Sequence, residues 1–207
     1  MARSRPLDKP GYSTHRSSLP EPNEKPTMIM FPTQFVYPAT SLICAAIGAV
    51  YDVRSGRIPN FVTFPAMLGG LLLHFALGGW RGLGSALAAG LICGIAFLLF
   101  WIVGGMGAGD VKLMSAAGCL TGLPGAGSLL LLTAFAGAAM AIGLALWKRR
   151  LTETLRNVGS LLMYHRIAGL APHPVLNIDN PHTIRLPYAL AISAGCALTV
   201  YLQAVGR

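Results

Sequence analysis

Two aspartates are the residues of this chain best placed to do chemistry. The chain has 207 residues and seven acidic ones. Asp8, Glu21 and Glu24 fall in a polar N-terminal stretch, and Glu153 and Asp179 in a polar loop. That leaves Asp52 and Asp110 as the carboxylates set against apolar sequence. An ionisable group beside hydrocarbon is expensive, so each marks a functional site. Two carboxyls at short range cannot both ionise, so one keeps a proton while the other acts as a base. They then titrate as a unit. Such a pair can activate water as a general base and protonate a leaving amine as a general acid. That is amide hydrolysis without metal, serine or cysteine.

Asp110 follows a run of glycines, GGMGAGDVKL (residues 104–113). Gly107 and Gly109 lack a Cβ, so an extended peptide could lie against the backbone beside Asp110. The plainer alternative is that the glycines unwind a helix end. A phosphate-loop reading is weak, because the GxxxxGK[ST] spacing is missing and no strand precedes. Lys112 stands two residues from Asp110 and so off its helix face. It either tunes the pair through space or snorkels to lipid phosphate. Asp52 is followed by Arg54 and Arg57, which orient its loop or simply obey the positive-inside rule. Pro59 and Asn60 read as the start of a second helix, with Asn60 as N-cap.

Metal chemistry has little support. Cys44, Cys93, Cys119 and Cys196 each lie alone in apolar runs, as small buried hydrophobes do. The spacing of His165, His173 and His182 matches no familiar ligand pattern. His74, alone on an apolar run, reads as a hydrogen-bonded packing residue. Gly90 and Gly94 form a GxxxG that lets helices approach closely.

The elements that must position the aspartates are membrane helices. The composition is 54% hydrophobic and 11% charged, against about 25% charged in soluble domains. The net charge of +9 does not indicate nucleic acid. The basic residues cluster between apolar runs instead of interleaving with aromatics on one face. Apolar runs cover residues 34–51, 61–77, 83–103, 111–121, 128–147 and 187–205, and a crossing needs about 20 residues.

Arg54, Arg57, Lys112, Lys148, Arg149, Arg150, Arg156, Arg166 and Arg185 share one side if an even number of crossings separates Lys112 from Lys148. The chain is therefore expected to be an all-α polytopic bundle of about six transmembrane helices, with those basic residues cytoplasmic. Asp52 then ends the first span and Asp110 begins the short fourth one, at the same face. Residues 1–33, with six of the fourteen prolines (at 6, 10, 20, 22, 26 and 32), read as a disordered polar tail, and 34–207 as the membrane-embedded domain. Leu151, Leu155, Val158 and Leu162 line one face of an amphipathic cytoplasmic helix, which rests on the membrane lipids or covers another loop.

These residues carry a resemblance. GAGDVKL (residues 107–113) resembles the GxGDxK signature of the type IV prepilin peptidases, membrane aspartyl proteases. YDVRSGRIPN (residues 51–60) is similar to that family's other aspartate motif, and IRLPYALAISAG (residues 184–195) to the segment opening its last helix. The resemblance implies an aspartic endopeptidase with Asp52 and Asp110 catalytic. Gly107, Gly109, Lys112 and Pro187 fall in its motifs. It also implies a prepilin or pseudopilin substrate, cut just after a glycine on the cytoplasmic side of the inner membrane.

The long bifunctional members carry a cysteine-paired insert, and nothing here corresponds. The chain thus resembles the short form that serves Flp-type tight-adherence pili. No cofactor is expected for hydrolysis; S-adenosylmethionine enters only if the chain also methylates the new amino terminus. Two other classes would use the same aspartates. One is a presenilin-like intramembrane protease, which expects more spans. The other is a proton-coupled transporter, which expects carboxylates near the midplane of repeated halves.

Overall fold

The computed structural model describes residues 33–149, 151–169 and 186–205. The expected tail up to residue 32, Arg150, His173, His182, Arg185 and Arg207 lie outside them, as does the side chain of His165. Every described helix lies within Pro32–Arg207. Among the described residues six helices occur: α1 (Thr33–Ser55), α2 (Asn60–Ile102), α3 (Ala108–Thr121), α4 (Leu123–Trp147), α5 (Leu151–Ala168) and α6 (Tyr188–Val205). There is no strand among the described residues.

Four of these helices, α1, α2, α4 and α6, are long and apolar enough to cross a membrane. One of them is long enough to do so twice. Straight, the 43 residues of α2 would run about 65 Å, twice the roughly 30 Å of hydrocarbon. The helix instead reverses at Gly79, which adopts φ 57° and ψ −147°, a conformation open to glycine.

The two legs can be traced by their contacts with α3. Along the first leg, Asn60 meets Lys112 and His74 meets Leu120, so this leg runs parallel to α3. Along the second, Ser85 meets Leu123 and Gly94 faces Ser115, so that leg runs antiparallel. α1 is also antiparallel to α3, with Ser41 on Ala117 and Gly48 against Leu113. α6 returns beside α1 and α4 beside α6, through Ser41 with Cys196 and Gly195 with Thr133. Six legs of alternating direction result, one for each apolar run of the sequence.

α3 is the axis of the bundle, with α1, both legs of α2, α4 and α6 packed around it. Its sequence explains how a 14-residue helix, about 21 Å long, can be enclosed. Small residues let other backbones come close. A Cβ at Gly118 would stand 2.8 Å from the Ala89 carbonyl oxygen and 2.9 Å from Cys93 Cβ. Gly90 and Gly94 in turn make room for Cys119 and Ser115, which bears out the GxxxG reading. Leu113, Met114, Leu129 and Ile192 fill the centre.

The outer surface is apolar, with Phe64, Trp80, Leu91, Ile95, Phe135 and Tyr201 exposed. In water such a surface would aggregate; in a bilayer it faces lipid. His74 is a packing residue as expected: its ring stacks on Tyr37 at 3.9 Å, and Nε2 lies 3.2 Å from the Leu120 carbonyl.

α5 follows α4 and packs only lightly on it. Leu155 and Val158 lie exposed on it, where the amphipathic stripe was expected.

Candidate active site

Each aspartate sits where a glycine ends or begins a helix. Asp52 is in the last turn of α1. Gly56, at φ 61°, takes the left-handed conformation just beyond that turn, and its N–H donates to the Asp52 carbonyl at 2.8 Å, a common way to stop a helix. The loop then passes through Ile58 and Pro59 into α2. Asn60 does not cap that helix, as its place in the sequence suggests. Pro59 holds the cap position with no side-chain bond, and Asn60 Oδ1 instead accepts from Lys112 Nζ at 3.0 Å.

Asp110 lies in the first turn of α3. Gly104, at φ 78°, turns the chain out of α2, and Gly107 holds the N-cap position. The Gly107 N–H donates to Asp110 Oδ2 at 3.2 Å, half of a capping box. Asp110 is 7% exposed, and its Oδ1 makes no hydrogen bond among the described residues. A buried carboxylate oxygen without a donor is costly, and such groups gather at functional sites.

One cleft of about 340 Å³ joins the two ends. Asp52, Val53 and Gly56 line it from α1, Gly107 and Asp110 from the start of α3, and Leu186 and Pro187 from the approach to α6. The Ala189 backbone N–H, in the first turn of α6, lies in range of the Asp52 carboxylate. Asp52 and Asp110 are close enough to feel each other's charge, and Tyr188 lies in range of Asp110. Sequence reasoning did not find Ala189 or Tyr188 as neighbours of the pair. Their signal was the short segment LPYA (residues 186–189) that opens the last helix.

Asp52, Gly107, Asp110 and Pro187 thus come together. Gly109 and Lys112 stand beside the cleft, outside its lining. The space expected to admit a peptide at Gly109 is taken by Ile58: a Cβ built there would meet Ile58 Cβ at 3.2 Å. Lys112 is held by Asn60, so its amine ties the two aspartate loops together.

The tie is testable. Lys112→Met and Asn60→Ala remove the same hydrogen bond, in an exposed position where such a bond contributes about 1 kcal/mol. Each should lower kcat/KM by no more than about fivefold, and the double variant by no more than either alone. Additive losses would mean that the two side chains act separately.

Among the described residues no three His, Cys, Asp or Glu side chains gather as a metal site would require.

A family model described as the type IV leader peptidase family matches residues 39–142, a segment containing both aspartates. The chain is 32% identical over 121 residues to a prepilin leader peptidase/N-methyltransferase of Burkholderia pseudomallei (strain K96243), covering 53% of this chain and 38% of that one. It is 40% identical over 103 residues to the like-named protein of Aeromonas hydrophila, covering 46% of this chain and 35% of that one. The match thus spans less than two fifths of the length of these relatives. No solved structure matches the chain significantly.

Proposed function

The chain belongs to the type IV leader peptidase family, and we propose that it is an aspartic prepilin peptidase whose pair Asp52 and Asp110 hydrolyses the leader bond. The observation that carries this reading is the shared cleft. Carboxyls from two helices distant in sequence line one cavity with the entry to a third helix. The pair holds one proton between the two carboxyls. The ionised carboxyl takes a proton from water as the water oxygen attacks the peptide carbonyl carbon. The protonated one supplies the proton that the departing amine needs. Water is consumed, one acid and one amine are formed, and the pair ends with one proton again.

The position of the pair favours this over proton transport. Both carboxyls lie at helix ends and not at the middle of a span, where a transporter places its sites. The substrate is a prepilin of the Flp-like class, cut at the cytoplasmic face of the inner membrane. Hydrolysis is what this cleft supports; the methylation in the relatives' names would need S-adenosylmethionine as well.

Co-expression with a candidate prepilin tests the reading directly. Leader removal should appear as a shift to a faster-migrating band on a gel, and an unshifted prepilin in the presence of well-expressed protein would overturn it. The orientation is tested separately. With the native cysteines replaced, single cysteines at Ser55 and Ser160, both exposed, should react with an impermeant thiol reagent only from the cytoplasmic side. Labelling of either from the periplasm would reverse the map.

A further inference from the structure

A peptide bond held in the cleft belongs to a chain that must continue somewhere, and the molecule offers two apolar grooves nearby. One lies between α1 and α6 and measures about 370 Å³, with Ala46, Ala49, Val50 and Val53 on one wall and Leu190 and Ser193 on the other. The second lies between α1 and the first leg of α2, at about 420 Å³. Size alone does not choose between them, but continuity does. Val53 lines both the α1–α6 groove and the aspartate cleft. The α1–α2 groove shares no residue with the cleft, and at its end nearest Asp52 the Tyr51 and Phe61 rings meet edge to face at 5.5 Å.

We propose that the groove between α1 and α6 receives the apolar helical segment of the membrane-inserted substrate, the stretch adjoining the bond that is cut. This rests on reading the cleft as a peptidase site. The positions on α1 recur at three- and four-residue intervals, so they form one stripe about two turns long, the register in which a helix lies in a groove. Ala46 and Ala49 keep its floor low, which lets a second helix come close where lipid offers no competing hydrophobic drive. Ser193 leaves no unmet polar demand, because its hydroxyl donates to the Leu190 carbonyl at 2.9 Å on its own helix. Only Arg54 is charged, and it lies at the Asp52 end of the stripe. An apolar segment there keeps to hydrocarbon while its polar continuation enters the cleft past Val53.

The test places a photo-crosslinking amino acid at Ala46, in this groove, or at Ile43, in the rival one. Each full-length chain is expressed in membranes with a prepilin. Leader removal by the unsubstituted protein is read in parallel. Crosslinks to the prepilin should be at least about fivefold more abundant from position 46 than from position 43. A preference for position 43, or crosslinks from 46 only to lipid or to a second copy, would overturn the groove while wild-type cleavage leaves the peptidase reading standing. No cleavage by the wild type would remove that reading and the groove with it.

Filling the groove gives an independent measurement. Ala46→Leu and Ser193→Leu should each lower kcat/KM for the membrane-inserted prepilin by at least about fivefold. A short peptide spanning the bond but lacking the apolar segment should be cut within about twofold of wild type. Equal losses on both substrates would show general damage to the enzyme and refute the docking role.

Discussion

Asp52→Asn and Asp110→Asn are each expected to abolish leader cleavage, with at least about a 10³-fold loss in kcat/KM, or about 4 kcal/mol of transition-state stabilisation. Both proteins should still accumulate in the membrane. Asparagine keeps the shape of aspartate and one acceptor oxygen. At position 110 it can therefore still take the Gly107 N–H. What it cannot do is exchange a proton with its partner. Because the two groups act as one unit, the double variant should be no worse than either single one.

The wild-type pH profile of kcat/KM should be a bell. Activity rises as the pair loses its first proton and gains a base, then falls as it loses the second and with it the acid. Each asparagine variant should lose the bell together with the rate. Substantial cleavage by either purified variant would end the two-carboxylate mechanism.

How far the sequence revealed this arrangement differs from residue to residue. Asp52 and Asp110 were legible because they are carboxylates set against apolar runs, a local property. The six legs could be expected because most basic residues outside the N-terminal stretch fall in alternate gaps between those runs. α2 shows a limit of that reading. Runs 61–77 and 83–103 read as separate apolar runs, yet helix continues to either side of Gly79, where a single backbone conformation makes the reversal. Hydropathy sees the gap but not how tightly the chain turns.

The contacts between loops were not legible at all. Asn60 looked like a cap by the rule for its residue type, and its amide oxygen went instead to Lys112, far along the chain. The meeting of Ala189 with Asp52 depends on α6 lying beside α1, which no local pattern specifies. Gly109 is the sharpest case. Its lack of a side chain was plain, but whether a substrate or the chain itself uses the space is decided by where the Ile58 loop lands.

That position makes Gly109→Ala informative. Its φ is not in the left-handed region, and it lies in the first turn of α3, so alanine brings no backbone strain and a slight gain in helix propensity. Thermal stability in detergent should stay near that of the wild type. The new methyl would stand 3.2 Å from Ile58 Cβ and 3.4 Å from its Cγ1, closer than apolar carbons settle. The loop between Asp52 and α2 must therefore yield by a few tenths of an ångström. That loop leaves α1 just after Asp52, so the displacement falls on the spacing of the pair. Misplacement of reacting groups costs rate steeply, and kcat/KM should drop at least about tenfold, roughly 1.4 kcal/mol, mainly through kcat.

The compensating change separates the two uses of the space. Ile58→Ala frees the loop to move away from the new methyl, so the Gly109→Ala/Ile58→Ala protein should recover most of the lost kcat. Under the alternative, in which substrate backbone lies against Gly109, the loss would fall on KM and Ile58→Ala would not restore it. Normal cleavage by Gly109→Ala would sink both accounts and leave this glycine as nothing more than part of a helix start.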